Sequence, residues 1–251
     1  MSDAAERLAS ATGLAHKLAL RDRRALAIAL TLARNLRAAR EYLALMRSCP
    51  SVPVALHGPN AELFVVSLKS RTHLAGRLTQ PVTLLEIPDD QDTYVRGHRM
   101  QALRTNVRRA ANAGCTCRTV NDPAELHSIR ELVADRARAQ AWEWEGGRLS
   151  LLDEPYVLAA ACDANEAVVA VAGAWMCTPW AVVDIFVRLG DTEVASAARH
   201  LAQFHLVGEL RKYGIEKLVS GPGLTVSPGL QYLAPLWGYE FVRLRFTDTR
   251  P

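Results

Sequence analysis

Residues 156–188, YVLAAACDANEAVVAVAGAWMCTPWAVVDIFVR, decide the fold. Two runs rich in Val and Ala, Tyr156–Cys162 and Ala167–Met176, flank the turn-forming Asp163-Ala164-Asn165 and predict an antiparallel hairpin. A third run, Ala181–Arg188, adds a strand to it. A long helix then follows, roughly Thr192 to Tyr213. Asp191 or Thr192 caps its start, Arg211 and Lys212 fill its last turn and Gly214 ends it, the placement that the helix dipole favours.

Upstream, Cys115 to Val120 reads as a strand. Asp122-Pro123-Ala124-Glu125 supplies an N-cap, a Pro at the first helical position and a capping-box acid. The helix it opens runs to about Gln140, with Leu126, Ile129, Leu132, Val133 and Ala137 on its core face. Before it, Gly97 to Ala113 predicts a helix with one narrow apolar stripe, Met100, Leu103, Val107 and Ala110, closed by Gly114. Arg104 and Arg108 share one flank of that helix, Arg99 lies on the other and Arg109 on the far side. Downstream come a strand (Lys217–Ser220), a Gly221-Pro222-Gly223 turn, a short helix near Leu230–Leu236 and a last strand (Glu240–Phe246). From Cys115 the order is β-α-β-β-β-α-β-α-β, an α/β mixed sheet flanked by helices.

The first third reads differently. Residues 3–47 form helix, broken near Arg21-Asp22, and Pro50 and Pro53 end it. Leu63–Leu68 and Val82–Ile87 read as strands between Gly and Pro breakers. The expected organisation is therefore an N-terminal helical arm with a partial sheet over residues 1–94, and the main domain over 95–251.

Composition narrows the class. With 251 residues, 49% hydrophobic and 22% charged, the chain is ordinary globular protein. Residues 1–48 carry nine Lys/Arg against four Asp/Glu, and residues 95–118 six Arg and no acid, yet the whole chain is only +4. Basicity is thus concentrated, which points either to an anionic partner or to solvated helix faces. The longest N-terminal apolar stretch, Ala25 to Ala33, is far short of the roughly 20 residues that span a bilayer, and Asp3 and Glu6 oppose a secretory leader. Five cysteines without a CxxC pair predict free thiols in a reducing cytoplasm. His200 and His205 are five apart and share no helix face, so no metal is expected, and no organic cofactor motif occurs.

The stretch Val95-Arg-Gly-His-Arg-Met-Gln-Ala-Leu-Arg-Thr-Asn-Val-Arg-Arg-Ala-Ala-Asn-Ala-Gly114 resembles the opening helix of aminoacyl-tRNA-dependent transferases, the phosphatidylglycerol lysyltransferase and Fem-like families. The element order, and the ending Leu236-Trp237-Gly238-Tyr239-Glu240-Phe241, resemble the GNAT acyltransferase superfamily to which such domains belong. The resemblance covers roughly residues 90–245. It implies a GNAT-like fold, a transferred acyl group and an aminoacyl-tRNA partner.

Physically, guanidinium groups at helical spacing suit phosphates, which they bind through charge-assisted pairs of hydrogen bonds. Arg96, Arg99, Arg104, Arg108, Arg109 and Arg188 are the candidates, unless acids elsewhere in the chain neutralise them. GNAT enzymes that use acetyl-CoA cradle pyrophosphate on a Gly-rich turn before the long helix. Here that turn is Arg188-Leu-Gly190-Asp-Thr-Glu, whose acids weaken the CoA reading, although Asp191 could simply be the helix N-cap. Asp184 interrupts an apolar strand and by period two shares a face with Phe186 and Arg188 rather than with Val183, Ile185 and Val187. It serves either as a base or ammonium anchor at the reacting amine, or as a satisfied buried acid. Trp142, Glu143 and Trp144 lie where GNAT-like proteins bind the acceptor, and either wall that pocket or anchor a loop. Three functional readings follow: transfer from aminoacyl-tRNA to an amine or hydroxyl of a small-molecule or peptide acceptor, transfer from acyl-CoA, and non-catalytic binding of RNA or an anionic surface.

Overall fold

The computed structural model describes residues 11, 12, 14, 33–56, 61–74, 78–140, 155–222 and 228–246. Its strands are β1 (Ser51–Val54), β2 (His73–Leu74), β3 (Leu78–Thr79), β4 (Val82–Glu86), β5 (Thr116–Thr119), β6 (Tyr156–Cys162), β7 (Val168–Cys177), β8 (Trp180–Arg188), β9 (Lys217–Pro222) and β10 (Glu240–Phe246). Its helices are α1 (Leu36–Ser48), α2 (Ala61–Thr72), α3 (Gln91–Tyr94), α4 (Gln101–Asn112), α5 (Pro123–Ala139), α6 (Glu193–Lys212) and α7 (Pro228–Leu236). The chain divides into two compact units, one of Met1–Leu85, Val219–Pro235 and Tyr239–Pro251, the other of Glu86–Leu218 and Leu236–Gly238.

The larger unit carries the meander. Its strands are ordered β8-β7-β6-β5 and are antiparallel throughout. Side chains alternate across a sheet, so the register assigns two faces. Leu158, Ala160, Val171, Ile185 and Val187 form one of them, and they bury Leu126, Ile129 and Val133 of α5. The opposite face presents Ala159, Ala161, Ala170 and Ala172, whose registered pairs are Ala159↔Ala172 and Ala161↔Ala170. Helix α6 packs on the strands of this sheet with its own buried Ala195, Ala198 and Ala202. Alanine against alanine lets a helix lie close to a sheet, and Leu206 and Leu210 add apolar area farther along, each fully buried leucine contributing about 2 kcal/mol.

Both ends of these helices follow their predicted chemistry. Asp122 Oδ2 accepts from Glu125 N at 3.0 Å to cap α5, and Gly114, at φ +76, closes the turn after α4. For α6 the cap is Thr192, whose Oγ1 accepts from Ala195 N at 3.1 Å.

In the other unit the strand order is β1-β10-β4-β9, β10 running parallel to β1 and antiparallel to β4. The C-terminal strand thus belongs with N-terminal ones, a long-range pairing that a division at residue 94 does not anticipate. Leu63–Leu68 is not a strand. It lies inside α2, where Phe64 and Leu68, four apart, are both fully buried, so helical period rather than β propensity governs it. The helix expected over residues 97–113 is also shorter, because Gly97 takes φ +83 and the chain turns through Met100 before α4 begins. Arg96 and Arg99 therefore lie off that helix. No helix among the described residues is long and apolar enough to cross a membrane.

Gly173 is the tightest point of the meander. A Cβ there would stand 2.3 Å from the Tyr156 hydroxyl and 2.7 Å from Ile185 Cγ2. Gly173→Ala is expected to cost about 1–3 kcal/mol in chemical denaturation, as overpacking does, and a second change, Tyr156→Leu, to restore part of it.

Candidate functional site

Strand β8 does not keep period two. Val183 is registered opposite Ala174 and Ile185 opposite Gly173, so Asp184 is an extra residue in a β-bulge. Val183 and Ile185 consequently sit on opposite faces, which corrects the expectation that they share one. A bulge re-aims a side chain and interrupts the ladder, and this one places the half-buried Asp184 in mid-strand, where a regular strand would hold it to one face.

Tyr156 adjoins it. Its hydroxyl lies over Gly173 and beside Ile185, is sealed from solvent and has no hydrogen-bond partner. Burial first, and the Asp184 carboxylate second, push this phenol well above its ordinary range, so it is a proton donor and not a phenolate. A donor without an acceptor, close to a carboxylate, is a costly arrangement in a core. It had a signal in the sequence: glycine in an otherwise β-forming strand marks a close approach.

The arginines divide into roles. Arg104 Nη1 donates to the Val95 carbonyl at 2.7 Å and to the Gly97 carbonyl at 3.4 Å, so it fastens the turn before α4 to the helix. Arg109 pairs with Glu193 in the first turn of α6. Arg188 pairs with Asp191 at 3.0 Å, and Arg136 binds the same carboxylate through both of its terminal nitrogens. That carboxylate is held below its usual range, by Arg136 foremost. Asp191 is therefore an ion-pair centre, and the N-cap role belongs to Thr192. Arg96, Arg99 and Arg108 are exposed, and Arg108 has no ion pair among the described residues. Trp142, Glu143 and Trp144 lie outside the described residues.

A residue absent from the sequence reading completes the group. Arg199, in the second turn of α6, sets its guanidinium 6.0 Å from the centre of the Phe186 ring. Phe186 in turn meets Trp237 edge to face at 4.7 Å, and Trp237 Nε1 donates to His200 Nδ1 at 2.8 Å. Because an indole only donates, that nitrogen of His200 carries no proton. Burial, with Arg199 adding repulsion, lowers His200 to about 4. Tyr94 closes the cluster by donating its hydroxyl to the Trp237 carbonyl at 2.9 Å.

Other nucleophiles are poorly placed. All five cysteines are free, and Cys117 is pushed up to about 12 by burial first and by Cys162 next. Among the described residues no three His, Cys, Asp or Glu side chains gather as metal ligands.

A meander backed by α5 and α6, with a bulged central strand leading into the long helix, defines a GNAT-like α/β fold. Solved structures agree with it. The crystal structure of FemX superposes with a TM-score of 0.53 at 11% identity, covering 66% of this chain and 60% of that one. A conserved protein of unknown function from Bacteroides thetaiotaomicron VPI-5482 gives 0.50 at 13% identity, over 63% of this chain and 55% of that one. The structure of L-PGS from Bacillus licheniformis is also similar, at 0.42 and 15% identity, over 60% of this chain and 49% of that one. The chain thus spans about half to three fifths of the length of these proteins. No protein-family model matches the sequence, and neither does any curated protein.

Two outcomes test this geometry. Arg104→Ala should cost about 1–2 kcal/mol in denaturant unfolding, since it frees two carbonyls, whereas Arg108→Ala should stay within about 0.5 kcal/mol. His200 is neutral when folded but ordinary when unfolded. Its contribution is therefore complete above about pH 6.5 and is lost as pH falls toward 4, an effect on the order of 2–3 kcal/mol. His200→Gln, which keeps an acceptor for Trp237, should flatten the thermal-midpoint profile across that window.

Proposed function

We propose that this protein is an aminoacyltransferase that moves an amino acid from aminoacyl-tRNA to an amine or hydroxyl of a small-molecule or peptide acceptor. One observation carries the choice of donor. The turn from β8 into α6, where a CoA pyrophosphate would lie on bare backbone N–H groups, holds two carboxylates, Asp191 and Glu193, tied by arginines to β8, α5 and α4. A pyrophosphate placed there would meet acids and displace their ion pairs. Arg96, Arg99 and Arg108 are exposed, as groups that hold a phosphate backbone must be.

The chemistry asked of the protein is modest. In aminoacyl-tRNA the ester already activates the carbonyl, so direct displacement suffices and no covalent enzyme intermediate is needed. The acceptor nitrogen or oxygen bonds to the carbonyl carbon, and the bond to the terminal ribose oxygen breaks. Asp184 takes the proton that the nucleophile sheds and returns it to the departing hydroxyl. Donors aimed at the carbonyl oxygen stabilise the charge that develops there. Trp142, Glu143 and Trp144 are assigned to the acceptor on sequence grounds.

Asp184→Asn tests the reading. Incubated with tRNA charged with radiolabelled amino acids and a panel of amines and peptides, the wild-type protein is expected to move label from tRNA to acceptor. The variant should do so about 100-fold more slowly or worse, with an unchanged thermal midpoint. Transfer from acyl-CoA with none from tRNA, or transfer indifferent to Asp184, would contradict it.

A further inference from the structure

Several arginines of the larger unit, exposed and half-buried alike, find carboxylates, while Arg199 does not among the described residues. Arg109, Arg118, Arg138 and Arg211 each pair with an acid. Arg199 is half-buried, forms no ion pair among the described residues, and its Nε is sealed from solvent without a hydrogen-bond acceptor. Desolvation first, and the positive charge of Arg188 second, lower its pKa. Around the start of α6 there are four guanidinium groups, Arg109, Arg136, Arg188 and Arg199, against two carboxylates, Asp191 and Glu193. Among the described residues there, positive charge is in excess, and Arg199 is its partly desolvated, unpaired member.

Folding alone gives no reason for this. A partly desolvated cation costs free energy unless something offsets it, and the Phe186 ring 6.0 Å away offsets only part of that cost. A methionine would fill the same space at lower cost. The surroundings also hold the group still: Phe186 is braced by Trp237, and Trp237 by its bond to His200. A guanidinium kept unpaired, with an N–H lacking an acceptor, is prepared for an acceptor that arrives from outside.

We infer that Arg199, backed by the field of Arg188, is a binding residue for an oxyanion of the ligand, a phosphate or a carboxylate. This goes beyond the function proposed above and does not require a tRNA donor. A phosphate would come from the group-carrying donor and a carboxylate from the acceptor. The two share planar or tetrahedral oxygens that a guanidinium binds through two parallel hydrogen bonds.

The test follows the Arg199 Nε–H resonance, assigned by its loss in Arg199→Lys, while inorganic phosphate or acetate replaces chloride at constant ionic strength. Saturable movement of that resonance, with a rise in thermal midpoint, is expected for at least one of the two anions. Response to phosphate alone assigns the site to the donor, to acetate alone the acceptor, and to both a general oxyanion site. In Arg199→Met the midpoint response should require about tenfold more anion or vanish. In chloride that variant should be no less stable than the wild type, because a burdened charge has gone. No response from either anion in the wild type, or an unaltered midpoint response in Arg199→Met, would overturn the assignment. Neither result depends on group transfer, so a failure here is separable from failure of the tRNA reading.

Discussion

Close contact between alanines on helix α6 and alanines on strands β6 and β7 is the constraint on which the larger unit depends. A helix seated on small side chains approaches the sheet closely, and everything at its ends is then fixed to the strands within narrow limits. Thr192 caps the helix where β8 stops, so the acids of its first turn meet arginines from β8, α5 and α4. Bulkier residues on either surface would lift the helix and pull that ion-pair group apart. Gly208 shows the same economy on another side of α6, where a Cβ would fall 2.5 Å from the Gln91 amide.

Strand β8 supplies the second organising feature. An antiparallel ladder normally assigns every side chain to a face, and an extra residue suspends that assignment at one position. In β8 that position is Asp184, the one acid of the strand, flanked by valine and isoleucine that now point to opposite sides. The phenol of Tyr156 is close enough to sense its charge and has no other partner. Strands β7 and β8 thus give up packing regularity at the place where an acyl-transfer reading needs a base.

Charge placement engages most arginines of the larger unit locally. At the surface, arginine and carboxylate meet in pairs worth a few tenths of a kcal/mol to about 1 kcal/mol, which tie loops together without much effect on stability. The same pairing reduces the number of guanidinium groups left to hold a polyanion: Arg104, Arg109 and Arg188 are engaged, and Arg96 and Arg108 face outward. Arg199 breaks the pattern, because it is partly withdrawn from water and still unpaired among the described residues.

By itself the sequence determined the elements from Cys115 onward. Capping residues, terminal glycines and two-residue or helical periodicity are local properties, and local properties survive any tertiary arrangement. The meander, α5, α6 and the final strand lie within a residue or two of where those signals put them. Only the tertiary structure decided that 63–68 is helical, that β10 joins β1 and β4, that Asp184 sits in a bulge, and which arginines are spent on carboxylates. Each of those depends on a partner far away in the chain, and no window of neighbouring residues contains the energy of a contact made across the fold.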